Sequence, residues 1–166
     1  MNFVDPVLYA APTVAAPRLS EDELNAWRAL LRAHRVVTAA LDGELSAERD
    51  MSLGSYEVML VLAKAPNRAM RMSELADAVV LSRSGVTRLV DRLEAEGVVE
   101  RATCPTDARG LLAHLTDRGF QRLKAAAPTH LRGVREHFTA RLSQQDLKDL
   151  ARLLESITAT APGATE

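Results

Sequence analysis

The sequence predicts a mainly α fold in which long first and last helices frame a central helix-turn-helix carrying a two-stranded β wing. Three observations predict it. Apolar residues recur at three- and four-residue steps over most of the chain, which is helical periodicity. A short helix from Ser73 and a second from Ser82 are separated by about three residues, the spacing of a helix-turn-helix. Directly after Gly97, Val98–Thr103 and Leu111–Leu115 flank a turn rich in Pro, Asp and Gly, the pattern of a hairpin.

Taken in order, residues 1–19 carry Pro6, Pro12 and Pro17, which disfavour a helix and suit an extended arm. Ser20 with Glu23 forms a capping box, and Asp22 sits where the positive helix end favours a carboxylate. From there Leu24, Trp27, Leu31, His34, Val36 or Val37, Leu41 and Leu45 draw an apolar stripe to about Arg49. A helix over residues 20–50 outruns a small core, so its surplus stripe is a candidate dimerisation surface. Ser55 is expected to cap a second helix that ends at Pro66. The helix-turn-helix and wing complete a lobe over residues 55–116. In the helix after Ser82, Val86, Leu89, Val90 and Leu93 face the core, while Arg83, Ser84, Thr87, Arg88, Asp91 and Arg92 face outward. Thr116 caps the next helix, which Pro128 is expected to kink or break before Leu131, Val134, Phe138 and Leu142 resume the stripe. Ser143 with Asp146 starts the last helix, bearing Leu147, Leu150, Leu153, Leu154 and Ile157. Residues 117–160 therefore form C-terminal dimerisation helices and residues 161–166 a tail.

At 166 residues and 47% hydrophobic content the chain has enough material for a core. Its longest apolar run, Val58–Ala63, is too short to cross a bilayer, and no signal-peptide pattern follows Met1, so a cytoplasmic protein without membrane contact is expected. One cysteine, Cys104, excludes an intrachain disulfide and a cysteine-based zinc cluster. His34, His114, His130 and His137 do not form a ligand set, so no metal and no cofactor are expected. Neither a Gly-x-Ser-x-Gly elbow nor a phosphate loop accompanies the serines and histidines, which argues against an enzyme.

The net charge is −1 and the pI about 6.4. Between Lys64 and Arg109, eight Lys/Arg face seven Asp/Glu. Bulk charge therefore does not announce nucleic acid, and any affinity must come from placed arginines. The exposed face after Ser82 has the composition a major groove needs: arginine pairs with guanine edges, and Ser or Thr bonds phosphate or bases. Ser82, Arg83, Ser84, Thr87 and Arg88 lead that helix. Arg109, near the wing tip, suits an adjacent minor groove, with Asp107 orienting an arginine or capping the turn. Asp91 and Arg92 are supporting residues, and Arg92 has Glu96 at i+4 as a candidate partner. On the first helix, Trp27 beside Arg28, Arg32 and His34 sets an aromatic plane among cations, which suits an aromatic carboxylate as well as it suits core packing. Tyr56 and Met59 are candidates for the other wall.

Glu74-Leu75-Ala76, Ser82, the run Val86 to Glu94, Gly97-Val98-Val99-Glu100-Arg101, Pro105-Thr106-Asp107-Ala108-Arg109-Gly110 and Leu115-Thr116 resemble the MarR family of bacterial regulators. The resemblance implies an obligate homodimer whose first and last helices interlock. It implies a winged helix in each subunit reading half of a pseudo-palindromic double-stranded operator, and a small ligand, often an aromatic acid, that weakens DNA binding. It places the groove positions on Ser82, Arg83, Ser84, Thr87 and Arg88 and the wing arginine on Arg109. The peroxide-sensing branch of the family carries its cysteine near the start of the first helix; here the cysteine is Cys104, in the wing. The rival readings are a winged helix that binds protein rather than DNA, and a small helical hydrolase.

Overall fold

The computed structural model describes residues 18–79, 82–104 and 107–159, and among these it forms six α-helices, two 3₁₀ turns and one small sheet. Two compact units divide it, residues 1–35 and residues 36–166. The arm before residue 18, the tip residues Pro105 and Thr106, and the tail beyond residue 159 lie outside the described residues.

Helix α1, Glu21–Arg49, begins as expected. Ser20 N–H and Oγ both donate to Glu23 Oε2, at 2.7 and 2.8 Å, and Glu23 N–H returns a bond to Ser20 Oγ. These bonds satisfy otherwise orphaned donors and hold the Glu23 carboxyl below its usual pKa, the backbone bond being the larger cause. Helix α2, Leu53–Lys64, starts earlier than expected because Ser52, not Ser55, is its cap: Ser52 Oγ accepts from Ser55 N–H at 3.1 Å. Ser55 lies inside the helix, buried.

The wing differs from the expected two strands. β1, Ala69–Arg71, pairs antiparallel with β3, Asp107–Leu115, which in turn pairs with β2, Val99–Cys104, giving the order β1-β3-β2. Three residues are too few to show alternation, yet their pairing with Leu112, Ala113 and His114 occupies the free edge of β3. The chain then passes straight from strand to helix α3, Met72–Ala78, with Arg71 rather than Ser73 at the cap position and Glu74 accepting from Arg71 N–H.

Helix α4, Arg83–Ala95, is capped by Ser82 Oγ, which accepts from Gly85 N–H. Gly97 ends it at a φ of +67°, a conformation cheap only for glycine. Thr116 caps α5, Asp117–His137. The expected break at Pro128 does not occur. A proline removes one helical hydrogen bond, and here contacts to α1 from the residues just after it brace the helix. Arg49 Nε donates to Thr129 Oγ1 at 2.9 Å, Thr129 Oγ1 donates to Glu48 at 3.0 Å, and Gly133 lies so close to α1 that a Cβ there would meet Leu41 at 2.6 Å. The helix ends before Phe138, and a 3₁₀ turn, Thr139–Arg141, leads to α6, Gln144–Thr158, with the predicted Ser143–Asp146 capping box. Leu131 is exposed instead of continuing a stripe.

The core gathers Leu45, Met59, Leu62, Leu75, Val86, Val90, Leu93, Val98, Val99 and Leu115, each at most 1% exposed. It draws on α1, α2, α3, α4 and both long strands, so the wing and α4 are fixed to the same apolar mass.

Candidate nucleic-acid interface

The exposed face of α4 is a consequence of its buried one. Val86, Leu89, Val90 and Leu93 are buried, and the intervening Arg83, Ser84, Thr87, Arg88, Asp91 and Arg92 are all exposed, as the periodicity requires. Within that face the side chains are differently engaged. Ser82 Oγ caps the helix and lies 3.3 Å from Ser84 Oγ. Thr87 Oγ1 donates to Arg83 C=O at 3.0 Å, leaving its lone pairs outward. Arg83 touches Asp77 at 3.5 Å, with both side chains well exposed, a contact of little strength. Arg88 has no ion pair among the described residues. A guanidinium kept unpaired at the surface is available to an incoming anion.

The most built feature of the interface is one the sequence did not single out. Arg101, on β2, donates to Asp91 at 2.6 Å and to Glu94 at 2.6 Å, and its side chain is only 19% exposed. Burial works against its charge, but the two carboxylates outweigh burial and raise its pKa. This clamp ties the outer side of α4 to the wing strand and gives Asp91 a structural job. A signal for it existed in the i, i+3 spacing of Asp91 and Glu94, but the partner lies across a chain reversal and is not visible in periodicity. Arg92 likewise does not pair with Glu96. It donates to Ser52 and Ser55 Oγ at 3.3 and 3.2 Å, while Glu96 pairs with Arg122 of α5.

The backbone of β3 carries Asp107 and Arg109 in the wing, with Cys104 opposite Asp107 in the ladder; their side chains lie outside the described residues. Trp27, Arg28 and Arg32 are exposed on α1, Trp27 at 55%, and His34 is exposed with a bonded or charged neighbour. Tyr56 and Met59 are buried core residues. Tyr56 stacks on His130, ring centroids 4.2 Å apart, and burial pushes the tyrosine pKa up and the histidine pKa down. Glu44, Glu136 and His137 offer ligand atoms within 4.8 Å of one another, but Arg132 lies 3.9 Å from Glu44 and opposes a cation there.

A family model described as MarR family matches residues 49–110, the lobe just described. The fold agrees over a much longer stretch. Sco3205 of Streptomyces coelicolor, a MarR family transcriptional regulator whose crystal structure is in complex with DNA, superimposes with a TM-score of 0.82 at 33% identity, covering 91% of this chain and 95% of its own. The chain belongs to the MarR family. A Thauera aromatica relative named for regulation of the hcr operon is 34% identical over 104 residues, 63% of this chain and 61% of its own length. The transcriptional repressor MprA of Escherichia coli K12 is 33% identical over 73 residues, 44% of this chain and 42% of its own. The chain thus spans about three-fifths or less of these two relatives. As a MarR-family member it is a winged-helix transcription regulator, of a family that is non-enzymatic. Among the described residues no helix is long and apolar enough to cross a membrane.

Proposed function

We propose that this chain represses transcription as a cytoplasmic homodimer, each subunit laying α4 into a major groove of a pseudo-palindromic operator and its wing into the adjacent minor groove. The observation that carries the reading is Arg88, without an ion pair among the described residues, on the exposed face of α4 beside Ser84 and Thr87, with the opposite face locked in the core. Ser82, Arg83, Ser84, Thr87 and Arg88 supply the groove contacts, Arg109 the wing contact, with Asp107 supporting the wing turn. Asp91 and Arg92 act from behind, through Arg101 and through the α2 serines. The DNA complex of Sco3205 and the repressor name of MprA support this direction for relatives of the same family.

Dimerisation is supported by apolar side chains that the chain leaves uncovered. Leu153, Leu154 and Ile157 of α6 are 51%, 36% and 64% exposed, and α6 has no buried residue. In the N-terminal unit, Trp27, Leu30 and Leu31 are likewise exposed. Such surface is costly to leave wet and is covered in an obligate assembly. A small effector, an aromatic acid near Trp27, Arg28, Arg32 and His34, releases the repressor by shifting the dimer away from the half-site spacing. Tyr56 and Met59 are less suited to touch it, because both are closed into the core.

The test is fluorescence anisotropy with genomic fragments selected by the purified protein. Arg88→Ala and Arg109→Ala each weaken operator binding about 10- to 100-fold, the range of one good base contact, with dimer mass unchanged in light scattering. Undiminished binding by both variants overturns the assignment. Affinity that is indifferent to salt favours instead a protein-binding winged helix.

A further inference from the structure

Away from α4 and the wing, the end of α5 meets the last two turns of α1. Glu44 of α1 faces Glu136 and His137, the final residues of α5. One ligand atom from each lies within 4.8 Å of the others, and the closest pair, His137 Nε2 and Glu44 Oε1, is 2.5 Å apart. The Glu44 and His137 side chains are half-buried, and Glu136 opens the cluster to solvent. Spacing along the chain does not announce this set, because Glu44 lies 93 residues before His137.

Hydrogen bonding leaves both carboxylates underused. Glu44 Oε2 is buried and has no hydrogen-bond donor among the described residues, and the Glu136 carboxylate takes no hydrogen bond or ion pair among them either. A buried carboxylate oxygen without a partner carries a desolvation cost that a cation offsets. Gly133 makes the room for it: a Cβ there would stand 2.7 Å from Glu44 Oε2. Two guanidinium groups are close, and each is engaged elsewhere. Arg132 donates to Glu48 at 2.5 Å and stands 3.9 Å from Glu44, beyond hydrogen-bonding reach. Arg141 Nε donates to Glu136 C=O at 3.1 Å, which satisfies the helix end and not the carboxylate. Arg132 and Glu48 cancel, so Glu44 and Glu136 present two negative charges beside an imidazole nitrogen. That charge matches a divalent ion, and the nitrogen favours zinc-type metals over magnesium, which prefers oxygen. Tetrahedral zinc, with bonds of about 2.0–2.2 Å, holds its donors about 3.3 Å apart. The Glu44–His137 pair would open and the exposed Glu136 close in, each by on the order of 1 Å.

We propose that Glu44, Glu136 and His137 bind one divalent transition-metal ion of the zinc type, which fastens the end of α5 to α1 and keeps a fourth position for water. The site shares no residue with the DNA contacts or the effector residues proposed above, and stands without either reading. The experiment titrates chelator-treated, full-length protein with ZnCl₂ by calorimetry, and with CoCl₂ by visible absorption, in a non-chelating buffer. One saturable zinc per chain is expected, with a tetrahedral cobalt spectrum, a rise in Tm on adding zinc, and no competition from a hundredfold excess of MgCl₂. Glu136→Gln, at an exposed position, and His137→Gln, which keeps a donor for Glu44 but removes the ligating nitrogen, should each weaken zinc binding at least tenfold. Circular dichroism of the metal-free variants should match wild type. Arg132→Gln, which removes the opposing charge, should tighten binding, and Cys104→Ser and His114→Gln should leave it unchanged. The absence of saturable zinc binding would overturn the proposal, as would wild-type affinity in both the Glu136 and His137 variants, loss of the zinc in Cys104→Ser or His114→Gln, or magnesium competing on equal terms.

Discussion

Helices α4 and α6 are both amphipathic, yet the chain treats their apolar faces in opposite ways. In α4, Val86, Val90 and Leu93 are at most 1% exposed; in α6, no residue is buried and Ile157 is 64% exposed. The difference separates two kinds of stability. The face of α4 is satisfied within one chain, so the surface proposed to read DNA is held in place before anything binds. The face of α6 is left open by its own chain, so in the proposed dimer its contribution depends on protein concentration.

Substitutions can break this contrast. The largest effect is expected from Leu93→Ala, which empties a fully buried site and costs about 2–5 kcal/mol, measured by urea unfolding and independent of concentration. Leu153→Asp with Ile157→Asp should leave the isolated fold intact and convert the dimer to monomer in light scattering, with operator affinity falling in step. A stable dimer in that variant would sink the role given to α6. Next comes Arg101→Ala, which leaves Asp91 and Glu94 facing each other without their cation and loosens the wing from α4. A loss of about 1–2 kcal/mol is expected, together with weaker operator binding although Arg101 is not assigned a DNA contact.

A smaller effect should appear with pH. Burial lowers the pKa of His130 in the fold, so below the unfolded histidine value of about 6.5 the unfolded chain binds more protons than the folded one. Stability from this group is therefore present near neutrality and lost as pH falls through that value. His130→Gln should flatten the fall in Tm between about pH 7 and pH 5 relative to wild type; an unchanged slope would remove the assignment. The smallest expected change is Asp77→Ala, which breaks an exposed contact and should alter stability by less than about 0.5 kcal/mol while freeing Arg83 for DNA.

Local chemistry made much of this legible in advance. The capping boxes at Ser20 and Ser143, the caps at Ser82 and Thr116 and the glycine stop at Gly97 depend on residues within a few positions of one another, so each can be read as a string. Helical period alone assigned the buried and exposed faces of α4. Where the reading failed, the deciding partner was distant for β1 and Pro128 and local only for the α2 cap. β1 is too short to signal itself and exists because β3 offers an edge. Ser52 displaces Ser55 as cap, and Pro128 is tolerated because Thr129, Gly133 and α1 hold the helix from outside.

By itself, then, the sequence determined the order of the helices and the two long strands, the caps at Ser20, Ser82, Thr116 and Ser143 and which side of α4 meets solvent, because those follow from spacing and from interactions within one turn. Only the tertiary structure decided which arginines are engaged and which are free. Arg101 is clamped by Asp91 and Glu94, Arg122 by Glu96, and Arg88 and Arg118 by no carboxylate among the described residues. An ion pair forms where folding brings opposite charges within about 4 Å, and for these side chains that meeting joins different elements: α4 with β2 for Arg101, and α4 with α5 for Arg122.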